Sequence, residues 1–380
     1  MTLSQQQFLE LLRSGLWGHN ADAELFKSSV DWKEILEIAR QQTVLVIVAD
    51  GIETLPKELW PSKEMITKLT MVRVKTLQMH NRMNMTINQI VSALNKEGIP
   101  SVLLKGQGVA QNYRKPESRS CGDIDLYVGE DNYERACEVV NDLCHTGEES
   151  KPGIESSHHM HLSLNGIEVE LHRKADYTPG KKLNAGLQNW TKDNLDANFC
   201  TSKLESWDNC GTKICLPTID FDAFFILHHA VRHMTVAGVG FRQVCDWMMF
   251  LHKNHDRIDM TALKHMLDRF SMKAVWDEFY TLATDALGLE ADLMPIMDSP
   301  KASWKTNKLL ENIFISGNFG HSDKNRKSES KTTYIKRKWR SFRFQSMRLL
   351  KLFRLFPEYA FSYWRNWMKE SSIDFFSPKA

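Results

Sequence analysis

The sequence predicts an α+β fold, in which a small mixed sheet with its own helices is flanked by an N-terminal and a C-terminal helical region. Apolar residues recur at spacings of three and four through residues 1–98 and again from residue 218 onward, which indicates helices. Between these regions, short β-rich runs alternate with helical segments over residues 99–176. The last two runs alternate apolar and polar residues around Asn165-Gly166, a pair typical of a hairpin turn.

This pattern divides the chain into four regions. An N-terminal helical region ends near Gly98, which suits the end of a long helix. An α/β core follows over 99–176, and a helical region over 177–319 is expected to form the substrate or acceptor pocket. A polar loop and basic amphipathic helices make up 320–380.

The composition is that of an ordinary soluble globular protein, with 42% hydrophobic and 25% charged residues among 380. A net charge of +2 does not favour binding to nucleic acid or membranes over the whole surface. The seven cysteines include no C-x-x-C pair, and with the absence of a signal peptide this predicts a reducing, cytoplasmic compartment. The longest apolar run, at 44–49, is far shorter than the roughly 20 residues that span a bilayer.

Two aspartates in the segment "GDIDLYV" are the first candidate site residues. Asp123 and Asp125 are two positions apart on a predicted strand, so their side chains project from the same face, while Ile124 and Leu126 face the core. Two carboxylates at this distance repel each other unless a cation lies between them. Mg²⁺ is the expected cation, because it commonly joins a few carboxylates to substrate phosphates.

The hairpin strand "GIEVELH" offers a third acid. Its apolar residues alternate inward, so Glu168, Glu170 and His172 share the other face. If this strand lies beside the Asp strand, either Glu170 or Glu168 completes a cluster of three carboxylates. Such a cluster can hold two metal ions for in-line displacement at phosphorus.

A candidate phosphate site precedes these acids. In "LLKGQG", Lys105 and Gly106 lie where a strand becomes a helix, and free N–H groups at a helix start can bind an anion. Glycine allows a phosphate to approach closely, and lysine adds a point charge. Arg119 either assists in phosphate binding or pairs with one of the acids.

Taken together, "LLKGQGVAQNY", "GDIDLYV" and "VELH" resemble the nucleotidyltransferase-like family of bacterial proteins in the DNA polymerase β superfamily. The resemblance implies a polymerase β-like sheet, with a Gly-containing turn, an Asp-x-Asp strand and a third carboxylate on a neighbouring strand. It extends to the N-terminal helices, to "FILHHAVRHM" and "FRQVCDWMMFLH", and to "GNFG" at 317–320. The superfamily turn usually reads Gly-Ser or Gly-Gly, and here either Lys105-Gly106 or Gly106-Gln107 takes its place without a hydroxyl.

The resemblance implies an enzyme that transfers an NMP group from an NTP, such as ATP, and releases pyrophosphate. The acceptor would be a hydroxyl, or less readily an amine, of a small molecule, peptide or protein, and the cofactor two Mg²⁺ ions, with Mn²⁺ as an alternative. A non-catalytic nucleotide- or partner-binding protein and an RNA-modifying transferase are the alternative hypotheses. The residues assigned to catalysis and metal binding are Asp123, Asp125 and Glu170, and those assigned to the nucleotide are Lys105, Gly106, Gln107 and Arg119.

Two histidine pairs invite a metal-site interpretation. His159 and His161 share a strand face, but no thiolate or further ligand accompanies them at typical zinc spacing, and His161 is instead expected to border the cleft. His229 and His233 are four apart on a helix, and the favoured interpretation is that this helix turns polar groups toward the cleft.

Two charged features complete the predictions. Arg242 and Asp246 are four apart on a helix and are predicted to form an intrahelical pair, while the resemblance suggests a role in holding substrate. Nine Lys or Arg and no acid occur from 331 to 354, with apolar residues every seventh position. This basic segment, 331–356, could contact an anionic membrane or RNA, but packing of its apolar stripe on the core is favoured.

Overall fold

The N-terminal region of the chain is helical, as predicted. The computed structural model describes residues 1–146, 151–155, 159–199, 201–295, 297, 304–317 and 334–376. The first helix begins with a capping box at Thr2 and ends at Gly18 in the left-handed conformation. The apolar run at 44–49 lies in a buried helix. The helices of this region are α1 Leu3–Trp17, α2 Trp32–Gln41, α3 Leu45–Ile52 and α4 Lys63–Lys96.

The α/β core contains a five-stranded mixed sheet with strand order β1-β2-β5-β4-β3 within the described residues. Strands β2 and β5 pair in parallel, and the other neighbours pair antiparallel. Asn165 and Gly166 have φ angles of +53° and +71°, which suit the tight turn between β4 and β5. The elements are β1 Val102–Leu104, α5 Gly106–Ala110, β2 Asp123–Tyr127, α6 Tyr133–Thr146, β3 Lys151–Glu155, β4 His159–Leu164 and β5 Ile167–His172.

Each face of this sheet packs against different helices. The apolar side chains of one face, including Ile124, Leu126 and Val169, form a core with residues of α4 and α6 such as Ile90 and Val140. The other face carries the acids, because residues alternate between faces along a strand. The predicted α+β class, with a small mixed sheet between helical regions, is confirmed.

The C-terminal region is mainly helical and also contains a hairpin that the sequence pattern did not reveal. In this hairpin Trp207 lies opposite Ile214, and Cys210 and Gly211 form the turn with positive φ angles. The elements are α7 Lys181–Asn194, β6 Glu205–Asn209, β7 Thr212–Leu216, α8 Ile219–Val236, α9 Phe241–Asn254, α10 Met260–Arg269, α11 Lys273–Leu287, α12 Trp304–Ser316, α13 Tyr334–Leu355 and α14 Pro357–Phe376.

The two helical regions share one hydrophobic core, although the sheet separates them in the sequence. Phe8 of α1 packs on Phe241 of α9 with ring centroids 5.4 Å apart. Trp247 of α9 and Trp276 of α11 are fully buried, with ring centroids 5.0 Å apart. This shared core holds α8 and α9 opposite the face of the sheet that carries the acids, where they line the other side of the cleft described below.

In the described part of the basic segment, Leu349 and Phe356 of the apolar stripe pack against the protein, whereas Phe342 is 36% exposed. Leu349, Leu352 and Phe356 are buried, whereas Leu350 is 64% exposed. The predicted packing is therefore confirmed for Leu349 and Phe356 of the stripe. The predictions for "GNFG" and the polar loop fall largely on residues 318–333, which lie outside the described part of the chain. Among the described helices, none combines the length and the apolar character that crossing a membrane requires.

Candidate active site

The predicted carboxylates lie on adjacent strands of the sheet. In the parallel pairing of β2 with β5, Asp125 is opposite Glu170, and Asp123 is opposite Glu168. On the other side of β5, His161 of β4 is opposite Glu170. The pairing thus aligns an imidazole and two carboxylates in one row across three strands. We call the cleft-lining residues of β2, β4 and β5 the sheet wall. They are Asp123, Asp125, His159, His161, Glu170 and His172.

Asp125 is the most enclosed of the acids, with a side chain only 3% exposed. Its Oδ1 lies 3.0 Å from Lys105 Nζ and 2.9 Å from His172 Nε2. Burial alone would raise the pKa of Asp125, but the charge of Lys105 and the hydrogen bond from His172 hold this pKa well below its usual range. Asp125 is therefore ionised at physiological pH.

Glu170 lies among histidines. Its Oε2 is 3.2 Å from His172 Nε2, and its Oε1 is 3.2 Å from His161 Nδ1. Burial opposes ionisation of Glu170, yet the hydrogen bond from His172 brings the pKa below its usual value. Burial likewise opposes the charge on His172, but the hydrogen bonds to Asp125 and Glu170 raise its pKa. The lowered pKa values keep Asp125 and Glu170 ionised, and the raised pKa of His172 favours its charged form beside them.

Asp123 lies two residues before Asp125 on β2, opposite Glu168, and is exposed. Partial enclosure by the cleft, followed by the negative charge of Asp125, raises the pKa of Asp123, while Lys105 and Arg242 oppose this. A bound cation would relieve the repulsion between the two aspartates. Oxygen donors on one face of two strands are the ligands that Mg²⁺ prefers, so the residues present fit this ion.

Further support for a metal comes from the spacing of donor atoms. Asp125, Glu170 and His172 each place one ligand atom within 4.8 Å of the others. A second such group among the described residues consists of His159, His161 and Glu170. Asp123 belongs to neither group.

The turn between β1 and α5 is conformationally unusual. Lys105 and Gly106 have φ angles of +49° and +47°, a region that a residue with a side chain rarely adopts. A Cβ at Gly106 would lie 3.3 Å from the carbonyl oxygen of Asp123, so a glycine allows close approach of the turn to β2. The strained turn holds Lys105 where its ammonium reaches Asp125.

Of the residues predicted to bind the nucleotide, Lys105, Gly106 and Arg119 line the cleft, and Gln107 does not. The Gln107 side chain is buried and donates to Asn84 Oδ1 at 2.9 Å, which directs its amide toward α4. Gln107 therefore contributes packing behind the turn in this structure.

Arg119 forms a buried, bidentate ion pair with α9. Its Nε and Nη2 donate to Asp246 Oδ1 and Oδ2, each at 2.7 Å, and Tyr113 donates its hydroxyl to Oδ1. The prediction had paired Asp246 with Arg242 on the same helix. The structure instead places the Arg119 guanidinium, whose planar fork matches a carboxylate, across from Asp246. This contact fastens α9 to the segment that leads into β2.

The opposite side of the cleft is formed by the buried Asp176 and by residues of α8. We call this side, with Asp176, His229, Arg232 and His233, the helical wall. Asp176 Oδ1 lies 2.8 Å from Arg232 Nε, and its Oδ2 lies 3.1 Å from His228 Nδ1 and 3.6 Å from His229 Nδ1. Burial would raise the pKa of Asp176, but Arg232 and the histidines hold it well below its usual range. Sequence reasoning missed this residue, because it follows β5 in a loop and has no characteristic spacing to the histidines.

The two histidines predicted to face the cleft, His229 and His233, line it together with Arg232. Their Nε2 atoms are 2.9 Å apart. Burial, with the nearby charge of Lys105, lowers the pKa of His229 to about 4. Burial and His229 lower the pKa of His233 to about 2. Both imidazoles are therefore uncharged at physiological pH.

The two walls enclose a cleft of about 450 Å³. Carboxylates line the sheet side, and Lys105, Lys174, Arg232 and Arg242 bring positive charge to its lining. His161 also lines the cleft, as predicted. A cleft with clustered carboxylates and several cations can bind a polyanion together with a divalent metal.

A family model described as an uncharacterised nucleotidyltransferase matches residues 28–288. The chain belongs to this nucleotidyltransferase family. The matched stretch includes the whole sheet and both helices of the cleft, and membership implies a nucleotide as substrate. The chain has no significant match among curated proteins or solved structures.

Proposed function

We propose that the protein is a Mg²⁺-dependent nucleotidyltransferase that moves an NMP group from an NTP to an acceptor hydroxyl and releases pyrophosphate. The observation that carries this proposal is the pairing of β2 with β5. In this pairing Asp125 is opposite Glu170 and Asp123 is opposite Glu168, which supports a carboxylate cluster on the cleft-facing side of the sheet in a chain that belongs to a nucleotidyltransferase family.

The residues that would hold the metal are the three carboxylates. Asp123 and Asp125 would serve both ions, and Glu170 would serve the ion nearer the acceptor. When bound, Mg²⁺ neutralises charge on the phosphates and favours ionisation of the attacking oxygen. Asp125 and Glu170 are suited to this role because their lowered pKa values keep them ionised.

Lys105 is the residue we assign to the phosphates. It is 21% exposed, lines the cleft and in this structure contacts Asp125. Its pKa is raised, because the attraction of Asp125 and Asp123 outweighs the opposing effect of burial. A lysine that remains charged beside a carboxylate pair can bind either the carboxylate or a phosphate oxygen.

Arg119 acts in this proposal as a positioning residue. The Nε and Nη2 atoms of its guanidinium donate to Asp246, its Nη1 donates to Cys121 Sγ at 2.9 Å, and its side chain is only 5% exposed. Arg119 therefore holds the segment that precedes Asp123 against α9. In this proposal the phosphate contacts come from Lys105 and Arg242, which both line the cleft.

The helical wall is the side we assign to the acceptor. The imidazoles of His229 and His233 are uncharged, so they can hydrogen-bond a neutral hydroxyl without adding positive charge to the cleft. We assign Glu170 to accept the hydroxyl proton, because its carboxylate lines the cleft between the two walls.

A screen of radiolabelled NTPs tests the proposal. The full chain is incubated with each NTP, with candidate acceptors and with itself as acceptor, in Mg²⁺, and pyrophosphate release is measured alongside label transfer. We expect turnover that requires Mg²⁺ and is lost in Asp123→Ala and Asp125→Ala proteins that remain folded. Equal turnover by the Asp125→Ala protein would contradict the assignment of the metal ligands.

A further inference from the structure

A second cluster of metal-ligating side chains lies on the sheet wall, centred on β4. The antiparallel pairing of β4 with β5 places His159 opposite His172 and His161 opposite Glu170. All four side chains belong to the cleft lining. Sequence reasoning discounted zinc at His159 and His161 because no third ligand was apparent, and the fold supplies Glu170 as that ligand.

The distances within this cluster are those of ligands around a common point. His161 Nδ1 lies 3.2 Å from Glu170 Oε1, and His159 Nε2 lies 4.0 Å from Glu170 Oε2. One ligand atom from each of the three residues lies within 4.8 Å of the other two. Ligand atoms around a tetrahedral zinc, with Zn–N bonds near 2.0–2.1 Å, are about 3.3 Å apart, so small side-chain adjustments suffice to bind one ion.

We propose that His159, His161 and Glu170 form a site for a transition-metal ion of the Zn²⁺ or Co²⁺ type, distinct in preference from the carboxylate site for Mg²⁺. Imidazole nitrogen suits zinc and its neighbours in the first transition row, whereas Mg²⁺ prefers oxygen. Two histidines and one glutamate are also a ligand set that holds zinc with one position open. The sharing of Glu170 with the Mg²⁺ site rests on the proposed function, but binding at this site does not.

Accessibility and outer contacts agree with this assignment. The side chains of His161 and Glu170 are 47% and 22% exposed, so an ion can enter from the cleft. Glu170 Oε2 also lies 3.2 Å from His172 Nε2, and this contact orients the carboxylate. Partners that orient a ligand in this way contribute to metal affinity.

The test is binding of Co²⁺ to the full chain without an affinity tag, in the presence of excess Mg²⁺ and without NTP. We expect one Co²⁺ per chain, detected by its visible absorption and by calorimetry, and displaced by Zn²⁺. His161→Ala and His159→Ala should each lower the affinity at least tenfold. His265→Ala, on the exposed surface of α10, is the matched control and should leave the affinity unchanged. Circular dichroism without metal verifies that each variant is folded.

Failure of wild-type protein to bind Co²⁺ under these conditions would overturn the proposal, as would unchanged affinity in the His161→Ala protein. Asp123→Ala separates the two sites, because Asp123 belongs to the Mg²⁺ site alone. We expect this variant to lose NTP turnover and retain Co²⁺ binding. Loss of Co²⁺ binding in Asp123→Ala would instead place the ion between the aspartates. Wild-type protein that binds Co²⁺ but turns over no NTP would contradict only the proposed function.

Discussion

Both walls of the cleft contain buried histidines, but the two walls shift the pKa values of these histidines in opposite directions. On the sheet wall, burial opposes the charge of His172, but two neighbouring carboxylates raise its pKa. On the helical wall, burial and the positive charge of Lys105 lower the pKa of His229 to about 4. The comparison shows that the charge of an imidazole here depends on which charges surround it, and burial alone does not decide it.

This difference divides the cleft by chemistry. The sheet wall offers anionic oxygen atoms that attract metal ions. The helical wall offers the uncharged imidazoles of His229 and His233, and Arg232 pairs with the buried Asp176. In the proposed reaction, an acceptor against the helical wall would not compete for the metal ligands.

The largest effect should come from the sheet wall. Glu170→Gln removes a proposed ligand and proton acceptor, and loss of a general base alone costs about 10²–10⁴-fold in rate. Glu168→Gln is the matched control, since Glu168 lies two residues away on the same face and is exposed. Pyrophosphate release should fall strongly in the first variant and little in the second. The reverse order would assign the third acid to Glu168.

The next largest effect should come from breaking the ion pair between Arg119, which precedes β2, and Asp246 of α9. Asp246→Asn leaves the buried Arg119 without its counter-charge, and removing one partner of such a pair costs about 3–5 kcal/mol in the free energy of unfolding. Urea denaturation measures this loss. Asp268→Asn, which affects only an exposed pair with Lys273, should leave stability nearly unchanged. A small loss of stability in the Asp246→Asn protein would show that the buried Arg119 does not require Asp246 as its counter-charge.

The support behind the helical wall can be tested with two neighbouring leucines on α13. Leu349 is 1% exposed and Leu350 is 64% exposed. Leu349→Ala should lower the free energy of unfolding by about 2–5 kcal/mol, whereas Leu350→Ala should change it by less than about 0.5 kcal/mol. Thermal and urea unfolding provide the values. Equal effects would mean that the basic helix does not pack as described.

The lowered pKa of His229 on the helical wall should make the folded protein less stable in acid. Because the pKa of His229 in the folded protein is about 4, below its ordinary value of 6.5, the unfolded chain binds more protons between these values. Stability is therefore lost as pH falls from 6.5 toward 4, by on the order of 3 kcal/mol for this residue.

His229→Gln should flatten this part of the stability profile, as measured by urea unfolding at pH 7 and at pH 4.5. The charged or titratable groups that face His229 are Asp176, Arg232, His233 and Lys105, and these remain in the variant. An unchanged pH slope would mean that His229 is protonated in the folded protein.

The sequence was most informative where local rules decide position. The two-residue period of β2 and β5 placed the acids on one face, and Asn165-Gly166 joined β4 to β5 at a definite register. The Arg119–Asp246 pair could not be predicted, because it joins residues 127 apart in the chain through packing of α9. The β6–β7 hairpin was also missed, since its strands alternate weakly and Cys210-Gly211 is not a common hairpin turn.

The central claim is that the carboxylates of the sheet wall bind an NTP through Mg²⁺. Calorimetric titration of the full chain with each NTP, with and without Mg²⁺, tests it without knowledge of the acceptor. We expect binding that requires Mg²⁺ in the wild-type protein and is weakened at least tenfold in Asp123→Asn. Equal binding without Mg²⁺, or equal binding by Asp123→Asn, would contradict the claim.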